Sequence, residues 1–188
     1  MFNLFKDQSM GTSSSTALED SETVKELDSL KTFDMSNKSM EEVPFEEIRR
    51  VSNVLEILKL SNNKITKIDL SNKQNLVTFQ KVSKNLKSLN LSNNPLKTIF
   101  KEIENFSSLE ELNLAQTQIS ELPFLLNLKK LKKLDLFINK ITNINLEPFT
   151  KLQNLELSFN FISDINLENQ SSLKVLEMNS NKYIFILI

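Results

Sequence analysis

Leucine and isoleucine recur along this chain in an eleven-residue pattern of apolar and polar positions, L-x-x-L-x-L-x-x-N-x-L. Seven copies are recognisable, at spacings of 25, 31, 23, 22, 21 and 21 residues. Such self-similarity at a nearly fixed period indicates a repeat architecture. The copies begin at residues 30, 55, 86, 109, 131, 152 and 173 and read LKTFDMSNKSM, LEILKLSNNKI, LKSLNLSNNPL, LEELNLAQTQI, LKKLDLFINKI, LQNLELSFNFI and LKVLEMNSNKY.

Each copy predicts one short strand. The Leu-x-Leu pairs, such as Leu58 and Leu60, alternate with period two, so both leucines of a pair face the same side. One repeat cannot bury its own apolar face, and neighbouring repeats must therefore stack, with their strands side by side in a parallel sheet. The isoleucines that follow, such as Ile65 and Ile68, complete the core from the opposite, convex side.

The asparagine of the pattern turns the chain out of the strand. Its amide can pair with backbone groups of the turn that would otherwise be buried without a partner. In the first copy Lys38 takes this place, with Asn37 one position early, which indicates an irregular cap. We therefore predict a structural asparagine ladder with one threonine in it, formed by Asn63, Asn94, Thr117, Asn139, Asn160 and Asn181.

These motifs resemble those of the leucine-rich repeat family over residues 30–183. The short spacing and the N-x-I-x-x-I continuation (Asn63, Ile65, Ile68) are most similar to the short intracellular subclass, which includes the leucine-rich-repeat regulatory subunits of protein phosphatase 1. The resemblance implies an α/β leucine-rich repeat solenoid. Such a solenoid is curved, with a parallel β-sheet on its concave face and irregular, 3-10 or helical connections on its convex side.

The pattern also predicts how the chain is divided. Residues 1–15 are expected to be a disordered leader, residues 16–29 an N-terminal capping helix, and residues 30–188 the leucine-rich repeat domain. The capping helix is predicted because Thr16-Ala17-Leu18-Glu19 fits a capping box and Val24 and Leu27 follow at helical spacing.

Two segments depart from the repeat. Residues 69–85 hold extra residues, which we interpret as a convex-side insertion, either a helical turn or a decayed further repeat built on Ile65, Ile68 and Leu70. Residues 183–188, YIFILI, are apolar where an array normally ends in a polar cap. We expect part of this segment to pack under the last repeat, and either a truncation or a partner that covers this end.

The amino-acid composition excludes several classes of functional site. The 188 residues include no Cys, no His and one Gly, which removes thiolate metal sites, a Ser-His or Cys-His nucleophile and a phosphate-cradling loop. We expect no enzyme activity, no cofactor and no metal site. A net charge of −1 does not indicate nucleic-acid or membrane binding. No signal peptide and no stretch near the ~20 apolar residues of a membrane span are present, which predicts an intracellular protein, cytoplasmic or nuclear.

The predicted sheet directs a set of side chains outward on its concave face. The central outward positions of the last three repeats are acidic, Phe137 takes the last outward position of its strand, and Phe159 lies just past the next strand. Exposed aromatic rings beside carboxylates are typical of interface anchors. The alternatives are that these rings fold back on a neighbouring repeat, or that the carboxylates bind Ca²⁺, although no Asp-x-Asp-x-Asp loop supports a cation site. The candidate partner-binding residues are Phe137, Asp135, Glu156, Phe159, Glu177, Lys133 and Glu111.

The sequence thus predicts a non-catalytic protein-protein interaction scaffold that binds another protein on its concave face. Resemblance to the phosphatase regulators implies a phosphatase catalytic subunit as one candidate partner, which Phe137, Asp135, Glu156 and Glu177 would contact by position. The alternative is a targeting or recognition fragment of a larger enzyme or signalling protein. Short repeats also occur in Ras-binding and deadenylase-associated arrays, and Leu122-Pro123 resembles the L-P step of those arrays.

Overall fold

The computed structural model describes residues 31–182 and 185–187. The predicted leader at residues 1–15 and capping helix at residues 16–29 lie outside the described residues. Within the described ranges, no helix is long and apolar enough to cross a bilayer.

Seven parallel strands form one sheet, with one strand in each repeat copy. Each strand is three residues long, and the strands pair in the order β1-β2-β3-β4-β5-β6-β8 with their central residues aligned. This arrangement confirms the predicted leucine-rich repeat solenoid. The seven strands are β1 Thr32–Asp34, β2 Ile57–Lys59, β3 Ser88–Asn90, β4 Glu111–Asn113, β5 Lys133–Asp135, β6 Asn154–Glu156 and β8 Val175–Glu177.

The core lies directly behind this sheet. Leu58, Leu60, Leu134 and Leu136 are at most 1% exposed, as expected for inward residues of a period-two strand. Fully burying one leucine side chain contributes about 1.5–3 kcal/mol, and each buried pair depends on the repeats at its sides. Ile65, which follows the asparagine turn, is also fully buried, so the core continues toward the convex side.

Within the described ranges, two helices and two short 3-10 segments connect the strands. Helix α1 spans Phe45–Val51 and helix α2 spans Lys73–Asn85, and the 3-10 segments span Lys101–Asn105 and Leu125–Asn127. Helix α2 begins at Asn72, whose side chain accepts the Gln74 N–H at 2.8 Å, a standard N-cap. The extra segment at 69–85 therefore contains a 13-residue helix and is not a decayed further repeat.

Helix α2 adds an aromatic cluster to the core. The Phe79 ring is 2% exposed and meets the rings of Phe45, Phe100 and Phe106 edge to face, with centroids 5.7, 5.4 and 5.2 Å away. Edge-to-face contacts add stability beyond burial alone. The cluster holds the long second connection against the repeats on both sides of it.

The asparagine amides link successive repeats. The Nδ2 of Asn160 donates to the carbonyls of Leu136 and Leu157 at 2.9 Å each, and its Oδ1 accepts the Ile141 N–H at 3.0 Å. Asn63 and Asn94 donate in the same way to a carbonyl of their own repeat and one of the preceding repeat. Each amide thereby satisfies backbone groups that are out of reach of water.

The apolar C-terminal segment forms a strand apart from the main sheet. Strand β9, Phe185–Leu187, pairs in parallel with β7, Asp164–Asn166, and the Leu167 N–H donates to the Leu187 carbonyl at 2.8 Å. The Ile186 and Leu187 side chains are 51% and 55% exposed. The described part of this segment is therefore attached by backbone pairing, while these two side chains remain largely in solvent.

Candidate protein-binding face

One row of outward side chains runs across the concave face at the last residue of each of the seven strands. Strands lie about 4.8 Å apart, so the row is roughly 30 Å long. A shallow concavity of about 410 Å³ lies over strands β3, β4, β5, β6 and β8. The row contains Asp34, Lys59, Asn90, Asn113, Asp135, Glu156 and Glu177.

The last three residues of this row form an acidic column. Asp135, Glu156 and Glu177 are direct neighbours in the strand register. Asp135 accepts hydrogen bonds from the Phe137 N–H at 3.0 Å and the Asn113 amide at 2.9 Å, and Glu156 accepts the Ser158 N–H at 2.6 Å. These bonds hold the first two carboxylates at fixed positions on the face.

The acidic column carries negative charge that the described residues do not neutralise. Partial burial raises the pKa of Asp135, and the nearby Glu156 charge raises it further. A hydrogen bond with Glu156 and the charge of Glu156 raise the pKa of Glu177. Among residues 31–182 and 185–187, no lysine or arginine forms an ion pair with any of the three carboxylates.

Charges elsewhere on the face are paired. Lys133 and Glu111, both predicted as site residues, face outward and form an ion pair with each other at 2.6 Å. Lys59 lies 3.5 Å from Asp34. The unpaired negative charge of the concave row is therefore concentrated in the last three repeats.

An aromatic pair lies at the rim beside the acidic column. The Phe137 and Phe159 rings meet edge to face, with centroids 5.4 Å apart and planes at 83°. Phe159 is 51% exposed, whereas Phe137 is only partly exposed. The sequence left open whether these rings project outward or fold back on a neighbouring repeat. In the structure Phe137 packs on the next repeat and Phe159 projects.

Two further apolar side chains extend this rim. Ile138 is 42% and Phe161 49% exposed. Phe161 was missed as a candidate, although a signal was available. It directly follows the ladder asparagine, where Lys64, Lys140 and Lys182 stand in other repeats.

The rim position itself has a left-handed backbone in every repeat. Its φ angles lie between 50° and 61°. Asparagine tolerates this region, but a β-branched or bulky residue there is a conformational outlier. Ile138 and Phe159 therefore carry backbone strain in two adjacent repeats, and strain of this kind costs on the order of 1–3 kcal/mol and is common at functional sites. The seven rim residues are Asn37, Asn62, Asn93, Gln116, Ile138, Phe159 and Ser180.

Metal binding gains no support from the described geometry. No group of three or more His, Cys, Asp or Glu side chains in the described ranges is placed to hold a metal ion. The carboxylates of the acidic column lie side by side on separate strands, and two of them are already hydrogen-bonded to the protein.

Sequence comparisons match the repeats to known families. Family models for leucine-rich repeats match residues 85–106 and 107–148. The chain is 34% identical over 117 residues, 61% of its length, to the probable serine/threonine-protein kinase pats1 of Dictyostelium discoideum. The matched stretch is only 4% of that protein, so the chain corresponds to a small part of this relative.

Comparison with solved structures finds the same architecture in bacterial proteins. Internalin C2 of Listeria monocytogenes is 33% identical, with a TM-score of 0.71 and coverage of 85% of this chain and 66% of that one. A leucine-rich repeat protein of Leptospira interrogans is 26% identical, with a TM-score of 0.61 and coverage of 84% and 45%. The chain therefore spans less than two thirds of both structures.

Proposed function

We propose that this chain, whose fold is a leucine-rich repeat solenoid, binds a partner protein on the concave face of its fifth to seventh repeats. Leucine-rich repeat proteins generally act as protein-interaction scaffolds, which is the premise of this proposal. One observation carries the location of the site. The acidic column lacks an intramolecular cation among the described residues and lies beside the exposed ring of Phe159.

Such a surface has the physical character of an interface. Aromatic anchors in the centre of a contact contribute most of its binding energy, and a carboxylate left in solvent gains from a cationic partner that arrives with it. The parallel sheet holds these groups on a rigid support, so little conformational entropy is lost when a partner binds.

A phosphatase catalytic subunit is the partner that we propose first. The support is the resemblance of the repeat motifs to the phosphatase regulatory subunits, which implies binding through aromatic and acidic residues of the concave face. In this proposal Phe137, Asp135, Glu156 and Glu177 take those roles by their position. In this proposal the array would act as a regulatory or targeting subunit and would itself carry out no catalysis.

A second candidate function is the recognition part of a larger signalling enzyme. The observation that favours it is the match of 34% over 117 residues to a probable serine/threonine-protein kinase of which these residues make up 4%. An immunoblot of source cells with an antibody against residues 31–182 separates the two candidates. A band far above 21.7 kDa supports the larger enzyme, and a band near that mass argues against it.

Affinity capture from source-cell lysate tests the proposed site. The wild-type chain is compared with the Phe137→Ala/Glu156→Lys variant and with the control Phe124→Ala/Glu121→Lys. The control has the same chemical changes on the connection around Leu125–Asn127, away from the concave face. We expect one protein to be retained by the wild type and the control and lost from the site variant.

Circular dichroism and urea unfolding confirm that all three proteins are folded before capture. Recovery of a phosphatase catalytic subunit in the retained fraction would support the regulatory role. Equal retention by the site variant would contradict the concave location, and a loss that the control shares would indicate a general effect of charge.

A further inference from the structure

In the fifth to seventh repeats the exposed side chains change from acidic to apolar to basic between the concave face and the far side of the rim. The concave face presents the carboxylates of Glu156 and Glu177, and the rim presents Ile138 and Phe159. Beyond the rim, Phe161 is flanked in the neighbouring repeats by Lys140 and Lys182, which are exposed. We call this set the rim strip: Glu156, Glu177, Ile138, Phe159, Phe161, Lys140 and Lys182.

Neither lysine of the rim strip is neutralised within the described part of the protein. The ion pairs found in residues 31–182 and 185–187 use other lysines, and the Lys140 N–H is engaged through its backbone with Ile119. The rim strip thus has a negative end, an apolar middle and a positive end, with Glu156 partly exposed and the other members exposed.

The dimensions of the rim strip fit a short peptide segment. The chain leaves strand β6 after Glu156 and bends at Phe159, so only two residues separate the acidic column from the exposed ring of the rim. Strands about 4.8 Å apart give a width of roughly 10 Å across three repeats. A segment of about six extended residues, at about 3.3 Å each, would reach from the acidic end past the apolar middle to the lysines.

We propose that the rim strip docks a protein segment that carries, in order along it, a lysine or arginine, a bulky apolar residue and an acidic residue. The segment would cross the rim of the solenoid and would not run along the concave face. This inference rests on the proposed function, because it specifies the partner chemistry for the same face.

Each of the three residues in the docked segment is specified by a different contact on the rim strip. A guanidinium placed between Glu156 and Glu177 can hydrogen-bond both carboxylates and relieve their mutual repulsion. An apolar side chain would cover the exposed surfaces of Phe159 and Ile138, which water now contacts. The opposite order would place like charges together at both ends and is disfavoured.

The same charges argue against other classes of ligand. A nucleic-acid backbone or an anionic lipid surface would bring phosphates to the carboxylates of the concave face, where like charges repel. Only the two lysines beyond the rim would favour phosphate, and they lie on either side of an aromatic ring.

Peptide display on the immobilised full chain tests the order directly. A random dodecapeptide library is selected against the wild type, against Glu156→Lys/Glu177→Lys, and against the matched control Glu121→Lys/Glu147→Lys, whose glutamates are exposed on connections. We expect wild type and control to enrich sequences with a basic, an apolar and an acidic residue in that order. The site variant should instead enrich sequences in which an acidic residue replaces the basic one.

A binding measurement on one selected peptide completes the test. Replacing its basic residue by alanine should weaken binding at least about tenfold, because a charge-assisted hydrogen bond to the two carboxylates is lost. Replacing an adjacent residue that is not part of the order should change binding less than about twofold, the scale of near-neutral interface contacts.

Three outcomes would overturn the inference: no enrichment on the wild type, enrichment without the charge order, or the same enriched sequences on the charge-reversed variant. These results are distinct from failure of the proposed function. A cellular partner captured through Phe137 and Glu156, together with peptides that lack the order, would leave the proposed function standing and reject the rim strip. Peptides enriched in the expected charge order, without any captured cellular partner, would support the rim strip and count against the proposed function.

Discussion

The side-chain oxygen of Asn139 accepts the backbone N–H of Thr117 at 3.2 Å and lies 3.1 Å from the Thr117 hydroxyl. That hydroxyl has a single proton, and it is 2.7 Å from the Leu114 carbonyl of its own repeat. Threonine is too short to donate back to the preceding repeat as the asparagines do. A backbone bond of the opposite direction links the two repeats here, since Lys97, with φ of 65°, donates its N–H to the Thr117 carbonyl at 2.9 Å.

This difference predicts that alanine substitutions at different positions of the asparagine ladder lower the free energy of unfolding by unequal amounts. Asn160→Ala removes three donated bonds, to the Leu136, Leu157 and Ser158 carbonyls, and one accepted bond, and each buried group left unpaired costs about 1–3 kcal/mol. We expect Asn160→Ala to lower the free energy of unfolding by about 3 kcal/mol or more, and Thr117→Ala by about 1–2 kcal/mol. Urea unfolding followed by circular dichroism gives both values, and equal losses would contradict the ladder interpretation.

The edge-to-face contact of Phe137 and Phe159 predicts energetic coupling between two repeats. A double-mutant cycle with Phe137→Ala, Phe159→Ala and the double variant should give a coupling of about 0.5–1.5 kcal/mol. Purely additive losses would indicate that the rings do not pack in solution. The matched cycle of Phe137 with the distant Phe124, which is on another connection, should show additivity.

The left-handed rim predicts a substitution that stabilises the fold. Asparagine suits the φ of 50° at Ile138, and little packing is lost because 42% of the isoleucine is exposed. Ile138→Asn should raise the free energy of unfolding by about 1 kcal/mol through relief of backbone strain. Gln116→Asn, at φ of 56° in the preceding repeat, is the matched control and should change stability less. A destabilised Ile138→Asn protein would show that packing outweighs the strain.

The acidic column predicts a pH-dependent effect of Glu156→Gln. The pKa values of Asp135 and Glu177 are raised in the folded protein, so the folded state retains protons to higher pH than the unfolded state. Stability from these groups therefore falls as pH rises through and above the ordinary carboxyl range. Removing the Glu156 charge should raise the melting temperature at pH 7, and the gain should shrink as pH falls into that range and the carboxylates become protonated.

Glu110→Gln is the opposite-sign control for this measurement. A hydrogen bond with Lys132 at 2.7 Å lowers the pKa of Glu110, so its contribution is present at neutral pH and is lost as pH falls through the lowered value. Glu110→Gln should lower the melting temperature at pH 7 and have a smaller effect in acid. Carboxyl NMR titration of Asp135 and Glu177 in the Glu156→Gln protein should show both pKa values lower than in the wild type. Unchanged values would contradict the proposed interaction.

Much of the fold was determined by the sequence itself. Strand positions, inward leucines such as Leu134 and Leu136, and the ladder position of Asn160 follow from a local period of two and a fixed repeat length. These features depend on neighbours within one repeat, and seven copies specify them repeatedly. The outward direction of Asp135, Glu156 and Glu177 follows from the same alternation.

Only the tertiary structure decided how side chains of different repeats meet. That Phe137 is partly covered while Phe159 projects, and that Phe161 and Ile138 extend the same rim, depends on spacing between repeats and on backbone angles after the strand. The pairing of Lys133 with Glu111 and the packing of helix α2 within the extra segment 69–85 also depend on neighbours far apart in sequence. A repeat pattern determines which way a side chain points. The lateral stacking of the repeats determines which other side chain it contacts. That stacking leaves the carboxylates of the acidic column without an ion-pair partner among the described residues.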